Sequence, residues 1–218
     1  MFAINPATKS WNWNADVKHR KMLPDVEAVG KVNTHGNDGT AAYRGPDRVA
    51  LRKLVSGLSL KMSDSNYVDD DVTGLTLAQS ISLDINEMGV SAFIYDQVLN
   101  SGALGLIQCN PWDNWMGEAN PKYYVMAHYS RHIRQDMTIH TSDDANVVLL
   151  TLTITSCFVM TKGFDNWPSR IDTWTTEMNS TDSFYVESDV HIPSLEFKIE
   201  FPAASVTTME VHWPTRNS

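Results

Sequence analysis

The feature that most constrains the fold is a change in the spacing of apolar residues near residue 134. Before this point, short apolar runs alternate with stretches whose apolar residues recur every three or four positions, as in strands and helices. After it, short β-rich runs are separated by Asp, Asn, Pro and Gly. The first pattern predicts βαβ units and a parallel sheet, and the second predicts an antiparallel β-sandwich. We therefore divide the chain into residues 1–134 and 135–218.

The first part is predicted to contain three strands and three helices. The second helix is the clearest, because the apolar residues between Leu75 and Met88 share one face. Thr73 is expected to cap its start and Gly89 to end it. In chain order we expect a strand at 29–34, a helix at 46–58, a strand at 58–63, a helix at 73–89, a strand at 90–97 and a helix at 120–133. In the second part, alternation predicts a final strand at 205–211.

Functional groups of parallel sheets collect just beyond the carboxyl ends of the strands, where the loops are free to vary. The expected ends here are His35, Asp64 and the segment 95–97. From the residues alone, Asp64 could be a catalytic nucleophile or a solvated turn residue.

Composition excludes several classes of protein. The net charge of −9 argues against a nucleic-acid surface, which needs clustered Lys and Arg. No stretch approaches the ~20 apolar residues of a membrane span, and the first residues show no apolar segment typical of a signal peptide. Cys109 and Cys157 lack metal-ligand spacing, so one disulfide and two free thiols both remain open. The acidic run 69–71 lacks the calcium-loop spacing and reads as a solvated loop. We expect neither a metal nor another cofactor.

Four segments resemble the fungal branch of glycoside hydrolase family 30, which includes the endo-β-1,6-galactanases. They are VNTHG at 32–36, the run 73–117, NPKYYVMAHYSRHIR at 120–134 and FPAASVTTMEV at 201–211. The family joins a (β/α)8 barrel to a side β-sandwich, is secreted, and hydrolyses glycosidic bonds with retention through two glutamates. The resemblance implies that 1–134 holds barrel strands six to eight, that 135–218 is the sandwich, and that the partner is a β-galactan-type polysaccharide.

The resemblance places Asp64 at the position of the catalytic nucleophile. The seventh strand of the family ends in Trp-Met-Ser-Glu-Tyr-Gly, and residues 61–66 of this chain read Lys-Met-Ser-Asp-Ser-Asn. A retaining glycosidase holds its two carboxyl groups roughly 5–5.5 Å apart. Since an Asp is one methylene shorter than a Glu, its carboxylate would be displaced by about 1 Å, and such a displacement can cost about 100-fold in rate.

The second carboxyl group of the family, the general acid/base, is a Glu that follows Asn on the fourth strand. Upstream of Asp64 the only Glu is Glu27, and the pair Asn86–Glu87 lies within the later helix. The resemblance therefore implies a hydrolase-like chain whose catalysis is impaired. The alternative is a non-catalytic glycan-binding or remnant protein.

The resemblance also implies residues that contact the sugar. Tyr95 and Gln97 match the eighth strand of the family, whereas Asp96 replaces an aromatic residue that would stack on a sugar. Trp112 and Trp115 lie in the following loop, where aromatic rings can stack on sugars, although packing within the protein is open for both. His35 could hydrogen-bond a sugar hydroxyl or could be a structural histidine. The segment Ser130–His132 is expected to orient the junction between helix and sandwich.

Three βα units cannot close an eight-stranded barrel, so the strand at 29–34 is expected to present an unpaired edge. We therefore predict self-association of the chain through this edge. Analytical ultracentrifugation over a range of concentrations measures it. Sedimentation as a compact, stable monomer at high concentration would contradict the prediction.

Overall fold

A computed structural model describes the backbone of residues 31–35, 46–57, 61–67, 71–110, 112–140, 142, 144, 147–151, 168, 170–178, 180, 184–190 and 201–212. Strands and helices alternate from residue 31 to residue 95, three further short strands precede the last helix, and the described elements after residue 132 are all strands. They are β1 Lys31–His35, α1 Pro46–Gly57, β2 Lys61–Tyr67, α2 Leu75–Leu83 with a π-helical continuation Asp84–Met88, β3 Ala92–Tyr95, β4 Leu99–Asn100, β5 Ile107–Asn110, β6 Trp115–Ala119, α3 Pro121–His132, β7 Thr138–His140, β8 Leu149–Thr151, β9 Arg170–Glu177, β10 Val186–Val190 and β11 Ser205–His212.

The first part contains the parallel sheet that the alternation of strands and helices predicts. Its strand order is β1-β2-β3, and both pairs are parallel. The second strand begins at Lys61 and ends at Tyr67, so the prediction that it ends at residue 63 is wrong. Asp64 consequently lies in the middle of β2, paired with Ala92 of β3. The strand extends through a polar run because its backbone pairs with two neighbours, which an apolar pattern cannot reveal.

A glycine flanks helix α2 at each end. Gly74 precedes it with a φ of +83°, and Gly89 follows the π-helical continuation with a φ of +70°, which confirms the predicted end. The predicted cap Thr73 accepts one hydrogen bond there, from the Leu75 N–H to its Oγ1 at 3.3 Å, but Asp71 accepts more. Asp71 accepts hydrogen bonds from the backbone N–H of Thr73 at 2.9 Å and of Thr76 at 3.1 Å. Asp71 therefore caps the helix, and the prediction that the acidic run is a solvated loop is wrong for this residue. Residues 69 and 70 of the run lie outside the described residues.

The core of the first part lies between the parallel sheet and its helices. It is built from ten buried residues: Val55, Leu77, Ala78, Ile81, Ile85, Met88, Val90, Tyr95, Leu106 and Val125. On the other face of β3, Ala92 and Ile94 are exposed, Ile94 by 47%. Within the described ranges this second sheet face is uncovered, and the barrel that would enclose it stays a prediction.

The second part contains an antiparallel sheet of order β10-β9-β11 and a separate antiparallel pair β7–β8. The strand Ser205–His212 confirms the predicted final strand. Segments 152–167 and 191–200 lie outside the described residues, so the complete sandwich and the division at residue 134 stay predictions.

Helix α3 packs on this antiparallel sheet through two histidines. His132 is hydrogen-bonded through Nδ1 to Glu210 at 2.6 Å and through Nε2 to the Tyr185 hydroxyl at 2.7 Å. One turn earlier, His128 contacts the hydroxyl groups of Thr208 at 2.9 Å and Thr176 at 2.8 Å. The prediction that the segment ending at His132 orients the junction of helix and sheet is therefore confirmed for that residue.

Candidate functional site

The candidate site lies beyond the carboxyl end of β3. The chain leaves β3 at Tyr95 and does not enter α3 until Pro121, and between them it forms a small sheet of order β4-β5-β6. β4 and β5 are parallel, and β5 and β6 are antiparallel. This sheet occupies the region where parallel α/β folds place their functional groups. We refer to residues 96–119 as the β3–α3 loop.

Tyr95 attaches the β3–α3 loop to the core. Its side chain is buried, and its hydroxyl donates to the carbonyl of Leu104 at 2.8 Å while accepting from Lys122 Nζ at 2.9 Å. Lys122 is itself fully buried on α3. These contacts give Tyr95 a positioning function. A direct contact between Tyr95 and a sugar stays a prediction.

Asn120 is the residue in this region that sequence reasoning missed. It is buried, and its Nδ2 donates to the carbonyls of Gly102 at 3.1 Å and Gly105 at 2.8 Å. Its Oδ1 accepts from Gln108 Nε2 at 2.9 Å, so the amide is bonded on both sides. An Asn before Pro121 indicates only a helix start in sequence. Its bonds to a loop up to 18 residues away leave no local signal.

Trp112 and Trp115 are both exposed at the far end of this loop. Trp112 is 92% exposed, and Trp115, at the first position of β6, is 51% exposed. Neither side chain is therefore buried in the core, and the interdomain packing that the sequence also left open stays a prediction. The turn between them is ordered by Asn110, whose Oδ1 accepts from the Trp112 N–H at 3.1 Å and whose Nδ2 donates to the Asp113 carboxylate.

The ring of Trp115 lies across Gly117, two residues further along β6. A Cβ atom at residue 117 would come within 2.4 Å of Trp115 Cη2 and 2.7 Å of Cζ2. Successive side chains of a strand point to opposite faces, so residues 115 and 117 share one face. Only a glycine at 117 leaves room for the indole in this position.

The backbone places His35 at the carboxyl end of β1 and Gln97 two residues beyond β3, whereas Asp64 lies in the middle of β2. His35 is the last residue of β1 and pairs with Asn66 of β2. The register aligns Asp64 with Ala92 and Asn66 with Ile94, so positions 64 and 66 belong to the uncovered face of the sheet. Gln97 is exposed, and its backbone carbonyl accepts from the Leu106 N–H at 3.3 Å.

Metal and thiol chemistry has few candidates here. Within the described ranges, no three His, Cys, Asp or Glu side chains lie close enough together to hold a metal ion. Cys109 is a buried free thiol, and Cys157 lies outside the described residues. Among the helices that the structure describes, none is long and apolar enough to cross a membrane.

Comparison with known proteins relates the chain to glycoside hydrolases. No protein-family model matches it. It is 28% identical over 201 residues to an endo-beta-1,6-galactanase of Hypocrea rufa, a match that covers 84% of this chain and 41% of that protein.

Two solved structures show similarity to the chain, and the first of them shares its fold. One is a conserved exported protein from Bacteroides fragilis, with a TM-score of 0.59 and 16% identity over 83% of this chain and 45% of that one. The other is the catalytic domain of GH30 xylanase C from Talaromyces cellulolyticus, with a TM-score of 0.48 and 16% identity over 92% of this chain and 48% of that one. The chain thus spans less than half the length of each of these proteins.

Proposed function

We propose that this chain binds a galactan-type polysaccharide and does not hydrolyse it by itself. The observation that supports binding most directly is the relationship to an endo-beta-1,6-galactanase over 84% of the chain. The exposed pair Trp112 and Trp115 beyond β3 supplies rings that can contact a sugar. In this proposal, residues 1–134 correspond to the last three units of a (β/α)8 barrel and 135–218 to its β-sandwich.

The absence of hydrolysis follows from the carboxyl groups. Retaining hydrolysis needs one group to attack the anomeric carbon and another to protonate the leaving oxygen and then activate water. Asp64 is the candidate for the first function, on a shorter side chain than the Glu of the resembled family. For the second function, the candidates are few, because Glu27 is the one glutamate among residues 1–63 and no Asn-Glu pair occurs there.

The proposed partner also suggests where the protein acts. Polysaccharides of this type are polymers too large to cross a membrane unaided, and one protein of similar fold is described as exported. We therefore place the activity outside the cell. A net charge of −9 is compatible with a neutral glycan and unfavourable for a polyanionic one.

An active retaining hydrolase is the second candidate function. It is favoured by the register of β2, which assigns position 64 to the uncovered sheet face. In that case Asp64 would be the nucleophile, and a carboxylate elsewhere would replace the missing Glu as acid/base.

Release of reducing sugar from β-1,6-galactan distinguishes the two candidates. We expect the wild type, Asp64→Ala and Asp64→Glu to release equally little, because lengthening one carboxylate does not supply the other. An active endo-β-1,6-galactanase serves as the control for the substrate. Hydrolysis by the wild type that Asp64→Ala abolishes would show that Asp64 is a working nucleophile and that the proposal is wrong.

A further inference from the structure

We infer that Trp115, lying across Gly117, forms a platform on which one neutral galactose ring of the polysaccharide stacks. This inference rests on the proposed function for the identity of the sugar. Its structural basis is independent, because it comes from the packing of one strand. The Trp115 ring is 51% exposed while its six-membered ring contacts Gly117. Part of the indole thus rests on the protein, and about half of the residue is open to water.

A supported, half-exposed indole suits a sugar better than a protein partner. The apolar face of a pyranose is flat and similar in size to the ring system, and it can desolvate the indole without reorganisation of the strand. A freely rotating ring would lose side-chain entropy on binding, whereas a ring already held against Gly117 loses less. Trp112 lacks such support at 92% exposure, so we assign the stacking to Trp115.

Polar groups beside the platform match the hydroxyl groups of a sugar. Asn110 is the β5 residue paired with Trp115, and Asp113 is exposed in the turn between β5 and β6. Carboxylates accept hydrogen bonds from sugar hydroxyls. Such a rim fixes the orientation of a ring that stacking alone would leave free to rotate.

The charge of the β3–α3 loop narrows the class of sugar. Residues 96–119 contain Asp96, Asp113 and Glu118 and no Lys or Arg. A chain of uronic acids would bring further carboxylates next to these three and would be repelled. The geometry and charge therefore select a neutral polysaccharide over an acidic one.

The loop that carries the platform is fixed before any ligand binds. Buried Asn120 bonds two of its carbonyls, Tyr95 bonds a third, and Asn110 orders the turn at its tip. A preorganised site loses less conformational entropy on binding.

Isothermal titration calorimetry with β-1,6-linked galacto-oligosaccharides tests the platform. We expect Trp115→Ala to raise Kd by about tenfold, equivalent to about 1.4 kcal/mol. Gly117→Ala retains every aromatic ring but displaces the indole, so we expect it to weaken binding by at least about threefold, or about 0.6 kcal/mol. Met116→Ala is the matched control, because it removes an exposed apolar side chain from the opposite face of β6, and it should stay within about twofold of the wild type. Circular dichroism verifies that each variant is folded.

The outcomes separate this inference from the proposed function. Binding of galactan that Trp115→Ala leaves unchanged would overturn the platform while the proposed function stands. Failure of the wild type to bind any galactan would overturn both. Binding of a galacturonan as tightly as galactan would overturn the assignment to a neutral sugar. A change in sedimentation with Trp115→Ala but none in glycan affinity would identify the surface as a contact between copies of the chain and would contradict the inference.

Discussion

Replacing Asp84 with alanine is expected to lower the free energy of unfolding by about 3–5 kcal/mol. Asp84 opens the π-helical continuation of α2, and its Oδ1 accepts from Arg48 Nε of α1 at 2.5 Å. Both residues are buried, with 1% and 6% of their surface exposed. Removing the carboxylate deprives the buried guanidinium of this charge-assisted hydrogen bond, so less of the free-energy cost of burying its charge is offset.

Urea denaturation of wild type and variant at pH 7 measures this difference. Glu118→Ala is the matched control, because it removes an exposed carboxylate, and we expect a change within about 0.5 kcal/mol. Asp84→Asn keeps an acceptor without the charge and should fall between the two. A loss below about 1 kcal/mol for Asp84→Ala would contradict this expectation and show that the ion pair contributes little to the stability of the folded chain.

Acidification from pH 7 to pH 4 is expected to reduce the free energy of unfolding through His128. Burial of this side chain, together with the nearby His132, lowers the pKa of His128 to about 4 from its usual 6.5. Below pH 6.5 the unfolded chain therefore takes up a proton at this residue that the folded chain does not. The contribution is complete above pH 6.5 and is lost progressively as the pH falls toward 4. With about 1.4 kcal/mol per pKa unit, the loss is on the order of 3 kcal/mol.

Denaturation of the wild type and His128→Gln at pH 7, 5.5 and 4 isolates this effect. The glutamine amide can donate a hydrogen bond to one of the two threonine hydroxyls, Thr176 or Thr208, and accept one from the other. Unlike histidine, it does not titrate. We expect the pH dependence to be much smaller in the variant. Asp71 has little effect on the free energy of unfolding between pH 7 and pH 4. Burial alone would raise the pKa of this carboxyl group, but the hydrogen bonds from Thr73 and Thr76 outweigh it and hold the pKa below 3.8. The same decline in both proteins would show that His128 is not responsible.

The sequence predicted those parts of the fold that depend on apolar spacing. Helix α2, helix α3 and strand β11 all carry a regular apolar or alternating pattern, and each was found at the expected position. The polar strand β2 carries no such pattern. Its extent depends on backbone pairing with β1 and β3, so the expectation that Asp64 ends the strand failed.

The location of the candidate site could be predicted from the sequence, but most of the side-chain contacts that hold it together could not. The sequence located Trp112 and Trp115 beyond a strand end but left open whether they stack on a sugar or pack within the protein, and the structure shows both exposed. The hydrogen bonds of Asn120 to Gly102 and Gly105 join residues that are distant in sequence. The contact of Trp115 with Gly117 does leave a signal in the sequence, because the two are separated by one residue. A glycine in a strand indicates that some group approaches the backbone closely, but it does not identify that group.

Isothermal titration calorimetry with polymeric β-1,6-galactan tests the central claim, binding without hydrolysis, in one experiment. Binding alone produces injection peaks that return to the baseline and decrease as the sites fill. Hydrolysis produces a heat flow that persists after each injection until the substrate is consumed. We expect saturable peaks with no persistent heat flow, and the same result for Asp64→Ala. A persistent heat flow in the wild type that disappears in Asp64→Ala would contradict the claim.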